Sequence, residues 1–260
     1  MNEYKVHICL EKCSFFEKAI VYCGLVLSEN GVSKMPEKML AIENMPRPNS
    51  IKDLQCFIGM VNYYNRFIPN TSSILHPFFK IFRGEKKFSW NTECESAFRQ
   101  AKDAFQSDIC LAYFDAKLPL TLATDASPTG WGAVLSHIFS DGTERQIMFF
   151  SATFNSTQCK WAQVDKEAYA IVWAVKRLYQ YVFGRKFELI TNNQAIKQIF
   201  SPDKSLPVFS AMRMQHYAIL LRAFNYTISF KKSELNANAD CLSRLPIPGT
   251  KESIDALEVH

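Results

Sequence analysis

The sequence predicts an α/β (α+β) fold, and three observations carry that prediction. With 48% hydrophobic and 21% charged residues among 260, the chain can bury a core. From residue 118 onward, apolar and polar residues alternate with period two between turn motifs, as in half-buried strands. Over residues 162–183, apolar residues recur at helical spacing along one face. The second half of the chain is therefore expected to follow the order β-β-β-α-β-α-α-β-α.

The N-terminal residues 1–34 predict short strands. β-Branched and aromatic residues fill residues 6–10 and 19–28, and the turn sequence Glu-Asn-Gly follows at residues 29–31. Asn-Gly between two strands is typical of a hairpin turn. We therefore expect a hairpin in this segment.

Two helices are predicted next. Pro36 opens a short helix at the position where its missing N–H is harmless, and prolines at 46 and 48 end it. Ser50 and Asp53 fit a capping box at the start of an amphipathic helix over residues 50–68.

Turn-forming residues then mark a boundary between two compact units. Residues 69–91 contain two prolines, a glycine and a charged stretch, which favour a domain junction. Beyond them, Thr92 and Glu95 resemble the capping box of another helix. The predicted division is a first unit over residues 1–86, a second over 87–247 and a tail over 248–260.

The elements of the second unit follow from the same signals. The first three strands are expected to be adjacent and antiparallel, because short turns join them. The elements are strands over residues 119–127, 131–138 and 145–154, a long helix over 162–183, a strand over 186–191, a short helix from Gln194, a helix near 209–222, a strand over 226–232 and a last helix over 236–244.

Three acidic residues fall on separate elements of this outline. Asp125 ends the first strand, Glu167 lies early in the long helix, and Asp240 lies near the start of the last helix. Carboxylates that converge in this way are ligands for Mg²⁺, and two such ions can activate water and stabilise a leaving phosphodiester oxygen. The alternative is that Asp125 stabilises a turn, Glu167 is an ordinary exposed residue and Asp240 caps a helix.

Composition restricts the setting of the protein. No apolar run is long enough to span a bilayer, and the first residues lack the order of a signal peptide, so we expect an intracellular protein, cytoplasmic or nuclear, without a membrane partner. The eight cysteines are scattered without a C-x-x-C pair, as reduced thiols are. The net charge of +5 permits a nucleic-acid partner without requiring one.

A family resemblance adds to this outline. The strings LATDASPTGWGAVL, DKEAYAIVWAVKRLYQYVFG, FELITNNQAIK and FKKSELNANADCLSRLP resemble the ribonuclease H domain of a gypsy-type LTR retrotransposon Pol polyprotein. The upstream string EKCSFFEKAIVYCGLVLSENGV and the helical region after it resemble the end of the reverse transcriptase palm and its thumb. The resemblance implies a ribonuclease H-like mixed sheet flanked by helices, preceded by a partial palm hairpin and a helical thumb.

The resemblance also implies an activity and its residues. Ribonucleases H of this family carry four carboxylates that bind two Mg²⁺, with Mn²⁺ as a substitute, and they cut the RNA strand of an RNA–DNA hybrid. Three of the four match Asp125, Glu167 and Asp240, as catalytic and metal-binding residues. The third family position is Asn192 here, a degenerate catalytic position, and its amide brings no negative charge to offset two dications. Cleavage is therefore expected to be weakened.

Basic residues outside the acidic set are candidates for nucleic-acid contacts. Arg66 on the thumb-like helix, and Lys231 and Lys232 at a strand end, are predicted to contact nucleic acid; the alternative for each is an ordinary charged surface residue. The family's polymerase aspartates lie upstream of the region that matches residues 8–34. No polymerase activity is expected from this chain alone.

Three hypotheses for the function follow. The first is a Mg²⁺-dependent ribonuclease H-type endonuclease. The second is a catalytically decayed remnant that binds nucleic acid or another partner. The third is an incomplete piece of a longer Pol polyprotein, which has no function of its own in isolation and for which other Pol segments are candidate partners. Asn192 separates the first two, because it replaces an acidic ligand.

Overall fold

The structure is a computed structural model that describes residues 9, 11, 13–69, 71–83, 88–203 and 212–231. Two residues of the predicted functional set, Asp240 and Lys232, lie outside these ranges, and so does the predicted last helix. Most of the predicted strand over residues 6–10 is outside them as well.

A three-stranded antiparallel sheet forms the N-terminal part. Its strands, in the order β1-β2-β3, are β1 (Ala19–Tyr22), β2 (Leu25–Ser28) and β3 (Gly31–Lys34). The single strand predicted over residues 19–28 is wrong, because a turn at Cys23 and Gly24 divides it. Their φ angles are 48° and 73°, the left-handed conformation that tight hairpin turns require. Glycine signals such a turn, but cysteine rarely adopts this conformation.

Four helices follow the hairpin. They are α1 (Pro36–Glu43), α2 (Ile51–Tyr63), α3 (Thr71–Arg83) and α4 (Thr92–Gln106). The predicted cap of α2 is present, since the Ser50 hydroxyl accepts a hydrogen bond from the Asp53 backbone N–H at 3.1 Å. The helix predicted to run to residue 68 ends at Tyr63, and a 3₁₀ turn occupies Asn65–Phe67.

Helix α3 lies within residues 69–91, where the sequence predicted a domain junction and no helix. Pro77 lies inside this helix, although a proline in the sequence usually indicates that a helix ends or is interrupted. Ile74, Leu75 and Phe78 are buried, so packing of one face outweighs the hydrogen bond that proline removes. The start of α4 also differs slightly: Asn91, rather than Thr92, is the N-cap and accepts from the Cys94 N–H at 2.9 Å.

A five-stranded mixed sheet forms the second part of the described chain. Its order is β6-β5-β4-β7-β8, with β4, β5 and β6 antiparallel, as predicted, and with β4, β7 and β8 parallel to one another. The predicted long helix is broken at Leu178 into two. The elements are β4 (Leu120–Ala126), β5 (Gly130–Ile138), β6 (Glu144–Thr153), α5 (Gln163–Arg177), α6 (Tyr179–Val182), β7 (Lys186–Thr191), α7 (Gln194–Phe200), α8 (Met212–Leu221) and β8 (Asn225–Phe230).

Helices cover both faces of this sheet. Alternate residues of β4 point to opposite faces: Leu122 joins a hydrophobic cluster with α5, α7 and α8, whereas Ala123 joins a second cluster with α2, α3 and α4. All seven residues of β4 are consequently buried. Residues from both sides of position 86 contribute to the second cluster. The division at that position stays a prediction.

Among the residues that the structure describes, none of the helices combines the length and the apolar character needed to cross a membrane.

Candidate active site

Parallel pairing of β4 and β7 brings two polar side chains to the same edge of the sheet. Ala123 pairs with Ile190, so Asp125 in β4 and Asn192 just after β7 lie next to each other at the carboxyl ends of their strands. The Asn192 Nδ2 donates a hydrogen bond to the Asp125 Oδ1 at 2.8 Å. Asp125 is 4% exposed, so its carboxylate meets this amide largely outside bulk water.

Glu167 reaches the same edge from α5, the helix that packs on β4. It lies on the second turn of the helix and is 7% exposed. One turn earlier, Gln163 donates through Nε2 to the Glu167 Oε1 at 2.9 Å and to the Ala126 carbonyl at 2.5 Å. Gln163 therefore joins the helix carboxylate to the residue that follows Asp125.

The electrostatics of Glu167 reflect this enclosure. Burial raises the pKa of its carboxyl above the ordinary value, hydrogen bonds from the Gln163 and Asn193 amides partly offset the shift, and the negative charge of Asp125 raises the pKa further. The Glu167 Oε2 is buried, and no hydrogen bond to it is formed by any residue that the structure describes. An acceptor atom in this position needs a cation or a donor to compensate for its lost hydration.

The turn beside Asp125 is fixed by a small network. The Ser127 hydroxyl donates to the Gly130 carbonyl at 3.0 Å and accepts from the Gly130 N–H at 3.1 Å. Lys166, buried next to Glu167 in the sequence, donates to the Pro128 carbonyl at 3.1 Å. A Cβ atom at Gly130 would come within 2.8 Å of the Ala152 carbonyl, so this position has no room for a side chain. The turn thus holds the end of β4 in a defined place.

The predicted site residues fall into three groups. The structure brings Asp125, Glu167 and Asn192 together, and Lys231 follows β8 at the same edge, where its N–H donates to the Thr191 carbonyl at 3.0 Å. Arg66 is exposed in the 3₁₀ turn after α2, where no contact with the three site residues is recorded. The positions of Asp240 and Lys232 lie beyond the described ranges.

Two residues of the site were missed in the sequence. Gln163 precedes Glu167 by four residues, a spacing that places both on one helix face, so it could have been recognised once Glu167 was singled out. Asn193 is the N-cap of α7, and its side chain accepts hydrogen bonds from the N–H groups of Ala195 and Ile196. The sequence could therefore have predicted Asn193 as a helix cap, but not as a neighbour of Glu167. Its proximity to Glu167 needs the tertiary fold.

The donor set fits a hard divalent cation. The orphaned Glu167 oxygen, the Asp125 carboxylate and the carbonyl oxygen of the Asn192 amide are ligands of the kind that Mg²⁺ and Mn²⁺ accept. Within the described ranges, no group of three His, Cys, Asp or Glu side chains could hold a metal ion. Within the described ranges, the candidate ligands for a cation are thus two carboxylates and one amide.

Comparison with known proteins agrees with this fold. Residues 90–189 match the model of the RNase H-like domain found in reverse transcriptase. The chain is 29% identical over 239 residues to the retrovirus-related Pol polyprotein from transposon 297 of Drosophila melanogaster, covering 92% of this chain and 22% of that protein. It is 28% identical over 248 residues to the transposon Tf2-3 polyprotein of Schizosaccharomyces pombe, covering 93% and 18%. The chain spans about a fifth of the length of these relatives.

Solved structures show the same architecture. The foamy viral protease-reverse transcriptase in complex with dsDNA has a TM-score of 0.72 and 20% identity, covering 86% of this chain and 47% of that one. The same enzyme in complex with an RNA/DNA hybrid has a TM-score of 0.71 and 20% identity, covering 96% and 33%. This likeness shows a shared fold. In sequence, residues 90–189 are similar to the RNase H-like domain found in reverse transcriptase, and more than nine-tenths of the chain is similar to retrotransposon Pol polyproteins.

Proposed function

We propose that the chain is a Mg²⁺-dependent ribonuclease H-type endonuclease that hydrolyses the RNA strand of RNA–DNA hybrids, with activity weakened at Asn192. The observation that carries the proposal is the meeting of Asp125, Glu167 and Asn192 at one edge of the mixed sheet. A foamy viral reverse transcriptase of the same fold was solved with an RNA/DNA hybrid, which supports this substrate class.

Each side chain of the site has a role in this proposal. Mg²⁺, when bound, supplies an activated water and stabilises the leaving oxygen. Asp125 and Glu167 would hold the cation, and Gln163 orients Glu167 through its Nε2 donor. Burial of both carboxylates excludes bulk water, which strengthens their attraction for a cation. Asp240 is proposed as a further ligand, on the strength of the family resemblance alone.

Asn192 is the reason for expecting slow cleavage. Its amide donates to Asp125, so in the structure it satisfies an oxygen that a cation would otherwise take. A metal has to compete with that hydrogen bond, and it meets one negative charge fewer than a carboxylate at this position would give. High metal concentrations are therefore expected to be necessary.

A hybrid-cleavage assay tests the proposal. The purified chain is incubated with a labelled RNA–DNA hybrid over a series of Mg²⁺ and Mn²⁺ concentrations, and Asp125→Asn is expected to abolish cleavage. Asp165→Asn is the matched control, because Asp165 lies on the same helix as Glu167 and its carboxylate pairs with Arg213 at 3.7 Å. Cleavage that persists in Asp125→Asn, or that is absent from the parent chain at every metal concentration, contradicts the proposal.

The second candidate function is a nucleic-acid-binding remnant without cleavage. The Asn192 to Asp125 hydrogen bond favours it, since the amide satisfies the Asp125 Oδ1 without a metal. Parent chain that binds hybrid but does not cut it would establish this function. Arg66 and Lys231 are proposed phosphate contacts in both cases, and their replacement by Gln is expected to reduce the salt dependence of binding.

A further inference from the structure

The positive charge of the protein is concentrated in one stretch of its sequence. Residues 168–233 contain ten basic and two acidic residues, a net charge of +8, whereas the whole chain carries +5. The remaining residues together are therefore negative, at −3. The positive stretch includes most of α5 together with α6, β7, α7, α8 and β8. Such a concentration attracts phosphate groups more effectively than the modest total suggests.

Two aromatic rings lie exposed within this stretch. Tyr179 and Phe183 stack on each other with centroids 4.5 Å apart and an angle of 20° between the rings. They are 50% and 49% exposed. Phe224 meets both rings edge-on, at 6.1 Å and 5.9 Å, and supports them from the protein side. We call Tyr179 and Phe183 the aromatic platform.

Basic residues flank the aromatic platform. Lys176 lies in the last turn of α5, three residues before Tyr179. Arg177 and Lys186 lie on either side in the sequence, and both are exposed, as is Lys176. Within the part of the chain that the structure describes, Lys176, Arg177 and Lys186 form no ion pair. Their charges remain available to a ligand.

The aromatic platform is separate from the proposed active site. Strand β7 begins at Lys186, close to the platform, and ends at Thr191, next to Asn192. The five steps of about 3.3 Å between the first and the last of its six residues place the two ends of the strand roughly 17 Å apart. The platform therefore lies toward the opposite edge of the sheet from Asp125.

We propose that the aromatic platform and its flanking lysines bind single-stranded nucleic acid. Exposed stacked rings offer a face to unpaired bases, and neighbouring cations contact the backbone, which is how single strands are held without sequence preference. The bases of a duplex are already stacked on one another, so they gain nothing from these rings. The excess of positive charge favours this ligand over an apolar protein partner.

Fluorescence anisotropy with labelled oligo(dT) and oligo(U) tests the proposal. The full chain is used without divalent metal and with Asp125→Asn, so that cleavage cannot interfere and failure of the proposed hydrolase function does not affect the result. Combining Tyr179→Ala with Phe183→Ala is expected to weaken binding about tenfold or more. The exchange Tyr179→Phe with Phe183→Tyr keeps both rings and is expected to preserve binding.

Two further variants separate stacking from charge. Combining Lys176→Gln with Lys186→Gln leaves the rings in place but removes two charges, so it is expected to weaken binding. The slope of log K against log salt concentration should become less steep by about 0.7 for each phosphate that is no longer neutralised. Phe82→Ala on α3 removes an aromatic side chain that is 37% exposed elsewhere, and it is expected to leave binding unchanged. Thermal melting of every variant identifies losses due to unfolding.

The outcomes are distinct. If the folded alanine and glutamine variants lose binding to both oligonucleotides, the proposal is supported. If they lose binding to only one oligonucleotide, the proposal is also supported, and the result identifies DNA or RNA as the ligand. Unchanged binding by the folded alanine variant overturns it. A change in molar mass by light scattering, without a change in oligonucleotide binding, overturns it in favour of a protein contact.

Discussion

The two sheets of the molecule differ in how they are covered. Every residue of β4, at the centre of the five-stranded sheet, is buried, whereas every residue of β1, at the edge of the three-stranded sheet, is exposed. Strand β4 has a partner strand on each side and helices on both faces. Strand β1 pairs with β2 alone in the described chain. Burial on all sides is what lets β4 position a carboxylate away from water.

The smaller sheet depends on attachments to the rest of the chain. Val32 of β3 pairs with Leu111 through two hydrogen bonds of 2.8 Å, and the Tyr113 hydroxyl donates to the carbonyls of Ser28 and Gly31. The Tyr64 hydroxyl donates to the Gly24 carbonyl at 2.9 Å. These polar contacts hold the small sheet together with Leu25 and Val32, which are only partly buried against the second cluster, whereas β4 is fully enclosed by apolar packing.

The largest expected difference between the sheets lies in their apolar side chains. Leu122→Ala in β4 is expected to lower the free energy of unfolding by about 2–5 kcal/mol, because Leu122 is fully buried and a cavity remains. Val21→Ala in β1 should change it by less than about 0.5 kcal/mol, because Val21 is 59% exposed. Urea unfolding measures both values. Similar losses for the two variants would break the comparison.

The attachment of the smaller sheet is tested at Gly31. Its φ of 134° is disfavoured for other residues, and a Cβ atom would collide with the Leu111 carbonyl. Gly31→Ala is therefore expected to lower the free energy of unfolding by about 1–3 kcal/mol. Gly59→Ala is the control, because nothing lies within 4 Å of a Cβ there and an alanine inside α2 should stabilise by roughly 0.5–1 kcal/mol. A loss of stability in both variants would contradict this assignment.

The charge at the edge of the larger sheet is tested by Asn192→Asp. A second carboxylate replaces the amide that donates to Asp125, so the metal-free protein is expected to lose about 1 kcal/mol of stability. Mg²⁺ should then bind more tightly, and hybrid cleavage should accelerate. Melting with and without metal, together with cleavage rates, measures both effects. If the Asp form cuts no faster than the parent, the amide does not limit activity and the binding-remnant hypothesis is favoured.

A smaller, pH-dependent effect is expected at Glu167. Burial raises its pKa in the folded state above the ordinary value of 4.5, so its contribution to stability is present below pH 4.5 and is lost as the pH rises through the folded-state pKa. Glu167→Gln removes the ionisable carboxyl group, so the variant does not lose stability in this way as the pH rises. The variant should match the parent chain in stability at low pH and exceed it at neutral pH. Urea unfolding over a pH series checks this, and a constant difference at every pH would refute it.

The sequence predicted the elements whose local signals agree with their packing. The turn motifs that bound β4 to β6 and the apolar face of α5 were sufficient, although β4 and nearly all of β5 are buried on both faces instead of alternating in burial. Helix α3 was missed because Pro77 is a local argument against a helix that tertiary packing outweighs. The turn at Cys23 was missed because cysteine does not signal a positive φ.

The sequence singled out Asp125, Glu167 and Asn192, which the structure brings together, but not the neighbouring amides of Gln163 and Asn193. Asp125 and Glu167 were singled out by chemical type and by position on separate elements, and the family resemblance drew attention to Asn192. The hydrogen bond from Gln163 depends on how α5 sits on β4, and the approach of Asn193 depends on the register of β7 against β4. Neither relation is encoded in a short stretch of sequence.

The hydrophobic cluster shared by α2, α3, α4 and the large sheet limits how such a chain can be rearranged. Gene fragments encoding residues from 88 onward, moved without α2 and α3, would leave Ala123, Val134 and Phe149 without the helices that cover them. Their product would expose an apolar surface of the kind that promotes aggregation. The helices and the sheet are thus suited to be inherited together, even though their sequences resemble different parts of a polyprotein.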